Sequence, residues 1–253
     1  MLKIATWNVN SLRVRLPHLL DWLSNNQPDI IALQEIKMTD EQFPLEEIQA
    51  AGYHALFAGQ KSYNGVALLS RMQGSDVITD LPHFNDPQRR ILGATYDKLK
   101  ILNVYVPNGA SVDSDKYQYK LEWLTQLHDY VCDNLKQYPR LIVLGDFNIA
   151  PEDQDVYDPI AWAGKILVSP PERTALQNLL HLGLQDTFRL FEQPAASFSW
   201  WDYRRGAFLR NHGIRIDLIL ASTALHCTGC TIDTALRRLE RPSDHAPVVA
   251  TFQ

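Results

Sequence analysis

Residues 141–148 read Leu-Ile-Val-Leu-Gly-Asp-Phe-Asn. A short apolar run of branched and bulky side chains closed by a turn residue is the signature of a β-strand. Gly145 at its end lets the backbone pass close to a ligand, and Asp146 and Asn148, two apart on an extended chain, share one face. The segment therefore predicts a strand that delivers a carboxylate and an amide to the rim of a sheet.

Similar apolar runs occur at 2–7, 30–33, 66–69, 101–106, 214–220 and 248–252. Each reads as a strand. Leu12, Leu16, Leu19, Leu20 and Leu23 fall on one face of a helix, and Leu121, Leu124, Leu127, Val131 and Leu135 repeat that spacing. A third helix is predicted after Pro170 and Pro171, with Leu176, Leu179 and Leu180 turned inward. Many strands with few helices point to two packed sheets covered by helices, an α/β sandwich. With 253 residues, 45% hydrophobic, no low-complexity linker and no internal repeat, the expectation is one domain spanning 1–253.

Polar residues cluster at the strand ends. Besides Asp146 and Asn148, Asn8 and Asn10 follow Trp7, Glu35 follows Leu33-Gln34, Tyr105 follows Asn103-Val104, and Asp217 lies in Arg215-Ile216-Asp217. Strand ends on one rim can converge on a single cleft.

Glu35 suits a hard divalent cation such as Mg²⁺, which takes one or two carboxylates and keeps its other positions for water and phosphate oxygens. The alternative is an ordinary ion pair with Lys37 or an arginine. Asp146 can orient and activate a water while the Asn148 amide donates to a phosphate oxygen; the alternative there is an Asx turn closing the strand. In Ser243-Asp244-His245-Ala246-Pro247 an imidazole stands beside a carboxylate, and either Asp217 or Asp244 can fix its tautomer. There is no Gly-x-Ser-x-Gly elbow, Walker loop or Gly-x-Gly-x-x-Gly fingerprint, which leaves direct attack of water on a phosphodiester.

The net charge of -5 runs against a nucleic-acid partner. Distribution tempers that. Arg204, Arg205, Arg210, Arg215, Arg237, Arg238 and Arg241 gather late in the chain and Arg89 and Arg90 earlier, so a basic face can coexist with an acidic site. Cys132, Cys227 and Cys230 cannot all pair, and the Cys-x-x-Cys at 227 to 230 lacks a second pair to complete a zinc site, so the cysteines are expected to be structural or incidental. No run approaches the roughly eighteen apolar residues of a membrane helix and the N-terminus lacks a signal layout, so a cytoplasmic protein without membrane contact is expected.

Taken together, these strings resemble the exonuclease III branch of the endonuclease/exonuclease/phosphatase superfamily, nearly end to end. The resemblance implies a four-layered α/β sandwich of two mixed sheets flanked by helices, with the active site at one end of the sheets. It implies a Mg²⁺-dependent DNA repair nuclease, with Mn²⁺ able to substitute, that acts as a monomer on duplex DNA. The bonds cut would lie 5' to abasic sites or at blocked and recessed 3' ends, leaving a 3'-hydroxyl, with 3'-phosphatase activity as a further option.

Residue by residue, the resemblance makes Glu35 the metal ligand, with Asn8 and Asn10 in the first polar segment and Asp244 as a second metal contact. Tyr105 becomes the active-site phenol, Asp146 and Asn148 the water-orienting and phosphate-binding pair, and Asp217 the partner of His245. Tyr63, Asn64, Arg90, Asn108, Trp200 and Arg204 match regions that grip DNA, and Trp200, Ile214 and Ile216 match a pocket for a flipped-out abasic sugar. Some relatives carry Asp at position 10 and Trp at position 214, so the first segment here is less charged and the pocket differently walled. Leu167 and Arg204 lie where loop geometry would set the balance of activities. Two rivals remain: a phosphodiesterase of the same superfamily acting on inositol phosphates or sphingomyelin, and a silent DNA-binding protein on the same scaffold.

Overall fold

The computed structural model describes all residues, 1–253. In chain order the elements are β1 (Leu2–Asn8), α1 (Leu12–Asn26), β2 (Ile30–Gln34), α2 (Leu45–Ala50), β3 (His54–Ala58), β4 (Val66–Ser70), β5 (Ser75–Ile78) and β6 (Ile91–Tyr96). There follow β7 (Leu99–Tyr105), α3 (Asp115–Gln137), β8 (Leu141–Asp146), α4 (Pro159–Trp162), α5 (Pro170–His181), β9 (Leu184–Asp186), β10 (Asp217–Ser222), β11 (Cys227–Ile232) and β12 (Val248–Phe252).

The strands form two mixed six-stranded sheets, ordered β11-β12-β1-β2-β4-β3 and β5-β6-β7-β8-β10-β9. Alternation along each central strand sorts its side chains. Ile142 and Leu144 of β8 face the core between the sheets with Ile4, Ile30, Leu68, Ile101 and Ile219. Leu141 and Val143 face outward onto Trp123, Leu127 and Val131 of α3 and Leu176 and Leu179 of α5. The outer face of the first sheet, Ala5, Ile31 and Leu69, is covered by Leu12, Leu19 and Leu23 of α1 and Ile48 of α2. The result is the expected helix-sheet-sheet-helix sandwich. Because helices cover both outer faces, the central strands read as continuous apolar runs rather than alternating ones.

One polar clip ties the sheets together near the functional rim. Gln34 donates to Thr6 Oγ1 at 2.9 Å and Asn103 Oδ1 at 2.8 Å, while the Asn103 amide donates to the carbonyls of Leu33 and Ala67 at 2.9 and 2.8 Å. Both side chains are fully buried. Apolar faces slide past each other at little cost, whereas these directional bonds fix the relative register of β2 and β7.

The three expected helices are present. The strand expected over 214–220 is not a single strand: β10 begins at Asp217, and Ile214 instead makes isolated bridges to Val156 and Trp200. Arg215 explains the break, since its guanidinium turns inward to Asp155 at 2.6 Å and Asp186 at 2.7 Å. Five further strands, β3, β5, β6, β9 and β11, lack a long apolar run; all but β6 are edge or half-exposed segments. On β11 a register shift between Cys227 and Gly229 puts Cys227 and Cys230 on the same inner face, although residues three apart on a regular strand face opposite ways. Both thiols are free and buried, and burial pushes Cys230 up to about 12. They pack the core, as the sequence suggested.

Candidate active site

The two sheets bring six polar strand ends to one rim. Asn8 pairs with Gln34 across the parallel β1 and β2, and Tyr105 pairs with Asp146 across the parallel β7 and β8. Asp217, at the start of the antiparallel β10, stands opposite Asp146. Ser243 to His245 enter just before β12 and lie against Asn8, with Ser243 Oγ donating to the Asn8 carbonyl at 2.7 Å.

The backbone at this rim is unusually bent. Glu35 (φ 52), Asn10 (φ 43), Ser11 (φ 88) and Asn148 (φ 49) all take left-handed conformations that side chains rarely adopt. Gly145 (φ 145) is sterically required: a Cβ there would sit 1.9 Å from the Val104 carbonyl oxygen. Such strain is sustained only where surrounding packing over-determines it, and it concentrates around functional groups.

Asn8 is the hub. Its amide donates to Glu35 Oε1 at 2.8 Å and to Asp146 Oδ2 at 2.9 Å, and its own oxygen accepts the Asn10 backbone N–H at 3.0 Å. The Tyr105 hydroxyl donates to the same Glu35 oxygen at 2.9 Å. His245 presents Nδ1 to Asp217 at 2.9 Å and Nε2 to Asp146 at 3.8 Å. Of the two carboxylates left open as partners of that imidazole, the structure selects Asp217, which Ser199 Oγ anchors at 2.6 Å.

Asp244 points elsewhere. It accepts from the Asn10 amide at 2.9 Å and from Trp200 Nε1 at 3.1 Å. Asn10 in turn accepts from Lys37, whose ammonium also meets Glu35 Oε2 at 2.7 Å. Glu35 thus has the ion-pair partner that was the alternative to a cation, and it also stands in the cluster with Asp146 and His245. The Asx turn is present too, with Asp146 Oδ1 accepting the Asn148 N–H at 2.9 Å. It serves the cluster by fixing the Asp146 carboxylate.

Charge is crowded here. Burial, then Asp217 and Glu35, push the Asp146 carboxyl up to about 7 against the opposing pull of His245. Burial disfavours the His245 imidazolium, but Asp217 and Asp146 outweigh it and raise His245 to about 10. For Glu35, burial is overcome by Lys37 and the Asn8 hydrogen bond, leaving its carboxyl below the usual range. Burial followed by the neighbouring Glu35 and Asp146 charges drives the Tyr105 phenol well upward, so it is a neutral donor.

A carboxylate oxygen of Glu35, one of Asp146 and a ring nitrogen of His245 all lie within 4.8 Å of one another. Three acids sharing one imidazole and one ammonium leave unbalanced negative charge in a partly buried space, and the free donors are mainly oxygen. That set fits a hard divalent cation, which relieves such repulsion.

The DNA-gripping candidates split into two groups. Arg90 lies over the Tyr105 ring, 4.7 Å from its centroid, and donates to Gln88 Oε1 at 2.9 Å. Buried Asn64 shares that acceptor at 3.2 Å, exposed Tyr63 stands next to it, and the Asn108 amide donates to Asn148 Oδ1 at 3.0 Å. These four line an open cleft of about 520 Å³ with Gln60, Gln88 and Lys116. On the other flank Trp200 is half-buried, whereas Ile214 and Ile216 are buried together with Val156, Leu167 and Val168. Arg204 is exposed and pairs with Asp202 at 3.1 Å.

The arginines do not all share a surface. Arg215 is buried with Asp155 and Asp186, and Arg237 is buried against Trp201, Tyr203 and Phe208 with a bond to the Ser243 carbonyl. Arg205, Arg210, Arg238 and Arg241 remain exposed. Lys37, Ser199 and the Gln34–Asn103 clip were not singled out as site residues from sequence. Glu35-x-Lys37 spacing was a usable signal for the first; nothing local announces the other contacts, which join positions far apart in the chain.

The endonuclease/exonuclease/phosphatase family profile matches residues 5–245. Exodeoxyribonuclease III of Haemophilus influenzae is 37% identical over 268 aligned residues, covering 100% of both chains. Among solved structures, the 3' phosphatase NExo from Neisseria bound to a product DNA hairpin superposes with a TM-score of 0.98 at 46% identity, covering 100% of both chains. An AP endonuclease from Archaeoglobus fulgidus superposes with a TM-score of 0.94 at 38% identity, again over 100% of both.

Proposed function

Since the chain belongs to the endonuclease/exonuclease/phosphatase family, and is a phosphodiester hydrolase of the exodeoxyribonuclease III and AP endonuclease type, we propose that it is a Mg²⁺-dependent repair enzyme of duplex DNA. It removes blocked or recessed 3' ends, 3'-phosphate included, and cuts 5' to abasic sites, leaving a 3'-hydroxyl. The observation that carries this reading is the convergence of Glu35, Asp146 and His245 with Asn8 and Tyr105 on one sheet rim.

In the proposed reaction Asp146 orients the attacking water and accepts its proton, with its carboxylate fixed by Asn8 and the Asn148 N–H; as the new P–O bond forms the P–O3' bond breaks, and the departing 3' oxygen takes a proton from solvent to become the 3'-hydroxyl. His245, protonated and held by Asp217, faces the phosphate with Nε2. Asn148 donates to a non-bridging oxygen whose charge grows in the transition state, and the neutral Tyr105 phenol does the same once its single proton turns from Glu35 to the phosphate. Glu35 would hold the cation, with Asn8 and Asn10 alongside and Asp244 one step further out, and the ion would supply neutralisation of phosphate charge. Tyr63, Asn64, Arg90 and Asn108 grip the strand on one side of the cut and Trp200 and Arg204 on the other. On this reading the enzyme works as a monomer in the cytoplasm.

One observation favours 3'-end removal as the faster activity. The Ile214 and Ile216 side chains that would line an abasic-sugar pocket are packed against Leu167 and Val168. A flipped-out sugar must displace that packing, whereas a terminal 3'-phosphate needs only the polar cluster.

The test is product analysis on three duplexes: one with an internal abasic site, one with a 3'-phosphate and one with a recessed 3' end, each with Mg²⁺ and with EDTA. Cleavage of at least one duplex that requires Mg²⁺ supports the proposal, and the fastest substrate should be a 3' end. No hydrolysis of any duplex, or turnover only on inositol phosphates or sphingomyelin vesicles, overturns it.

A further inference from the structure

Behind the catalytic rim lies an ion pair that none of the chemistry above uses. Lys120 of α3 and Glu172 of α5 are both fully buried and bonded to each other. Burying two charges is expensive, and replacing such a pair with apolar side chains is often neutral or stabilising, so stability alone does not account for it.

What the two side chains hold is more informative. The Lys120 ammonium donates to the backbone carbonyl of Asn148 at 2.7 Å and of Asn108 at 3.2 Å. These are the two asparagines whose side chains are joined at 3.0 Å beside Asp146. With Glu172, all three ammonium protons are committed. Glu172 accepts the backbone N–H of Leu167 at 3.1 Å and of Ser169 at 3.0 Å, together with the Ser169 hydroxyl. Leu167 (φ 74) is itself in the left-handed region and forms part of the apolar wall behind Trp200.

One buried pair therefore spans both halves of the site. On one side it pins the turn that carries Asn148, which is bent at φ 49 and needs external support. On the other it pins Leu167. Burial lowers the Lys120 pKa, while Glu172 and then Asp146 oppose that shift.

We propose that Lys120 and Glu172 are positioning residues that set the Asn148 turn for turnover and the Leu167 wall for substrate preference. This rests on the DNA-hydrolysing reading above. Neither residue touches the substrate. Their effect runs through backbone carbonyls and N–H groups, so it depends on where charges and donors sit more than on the volume they fill.

The test compares wild type with the paired variant Lys120→Met/Glu172→Gln, which removes both charges and leaves neither buried alone. Measured together are the thermal midpoint, KM, kcat and the ratio of abasic to 3'-phosphate rates. Displacement of about an ångström at a reacting group costs roughly tenfold to a hundredfold in rate, so kcat should fall by that order with KM little changed. The substrate ratio should change as well, while the folding transition stays cooperative and close to that of wild type. A folded variant with wild-type kcat and wild-type ratio overturns the proposal. If the paired variant does not fold, Glu172→Asp decides: it keeps the charge but withdraws the carboxylate by one methylene, and the same loss of kcat is expected, with wild-type turnover overturning the idea. Wild-type protein inactive on every duplex would instead defeat the functional reading and is scored separately.

Discussion

Glu35 and Asp146 come from different sheets, yet the Asn8 amide spans them, at 2.8 Å from one carboxylate and 2.9 Å from the other. A neutral donor shared between two acids holds them close without discharging either. That arrangement fits the chemistry of a hard-cation site better than that of a structural ion pair, which would place an arginine or lysine between the two acids.

Asp146→Ala should abolish most turnover while leaving DNA affinity nearly intact. Loss of a proton acceptor in the transition state costs on the order of 10² to 10⁴ in rate. Single-turnover cleavage and fluorescence anisotropy on the same 3'-phosphate duplex separate the two effects. Equal losses in both would remove Asp146 from the chemical step.

The rate should rise with pH through about 7, because Asp146 must be ionised to accept a proton and burial holds its carboxyl up to that value. A cation beside it favours the carboxylate, so more Mg²⁺ should move the rising limb to lower pH. Near pH 10 the rate should fall, as His245, held protonated by Asp217 and Asp146, loses its proton. A kcat profile taken at two Mg²⁺ concentrations checks both limbs; a rising limb indifferent to Mg²⁺ is the contrary result.

Leu167→Gly should shift preference toward abasic sites. It relieves a left-handed leucine and opens the wall packed on Ile214 and Ile216. The ratio of abasic to 3'-phosphate rates should increase several-fold; an unchanged ratio means the wall does not gate the sugar.

Asn103→Leu should destabilise the fold by about 1–3 kcal/mol, since it removes the acceptor of one Gln34 amide bond and the amide that donates to the Leu33 and Ala67 carbonyls between the sheets. Urea unfolding reads this directly, through a lowered midpoint. Activity per folded molecule should also drop, because Asn103 lies two residues before Tyr105 on β7. Wild-type stability would deny the clip its role.

Much of this architecture was legible because the decisive features are local. The run at 141–148 carries its own strand, its obligatory glycine and its two polar groups, and the leucine spacing of α1 and α3 writes helix directly. Edge strands such as β3 and β11 were not legible, because a half-exposed strand has no continuous apolar run. The course of 214–220 misled for a related reason. Ile214 and Ile216 look like strand residues, but Arg215 between them is buried by Asp155 and Asp186, from segments that the local pattern cannot see. The same holds for Asp217 as the partner of His245: sequence offered two carboxylates, and only the pairing of β8 with β10 decides between them.

Glu35 is the proposed ligand of the cation on which hydrolysis depends, and the Mg²⁺ dependence of 3'-phosphate removal by wild type and by Glu35→Gln measures that role. Wild type should be silent in EDTA and regain activity with Mg²⁺, whereas Glu35→Gln should need far more Mg²⁺ for half-maximal rate. Release of phosphate in EDTA, or identical Mg²⁺ curves for the two proteins, would contradict the account.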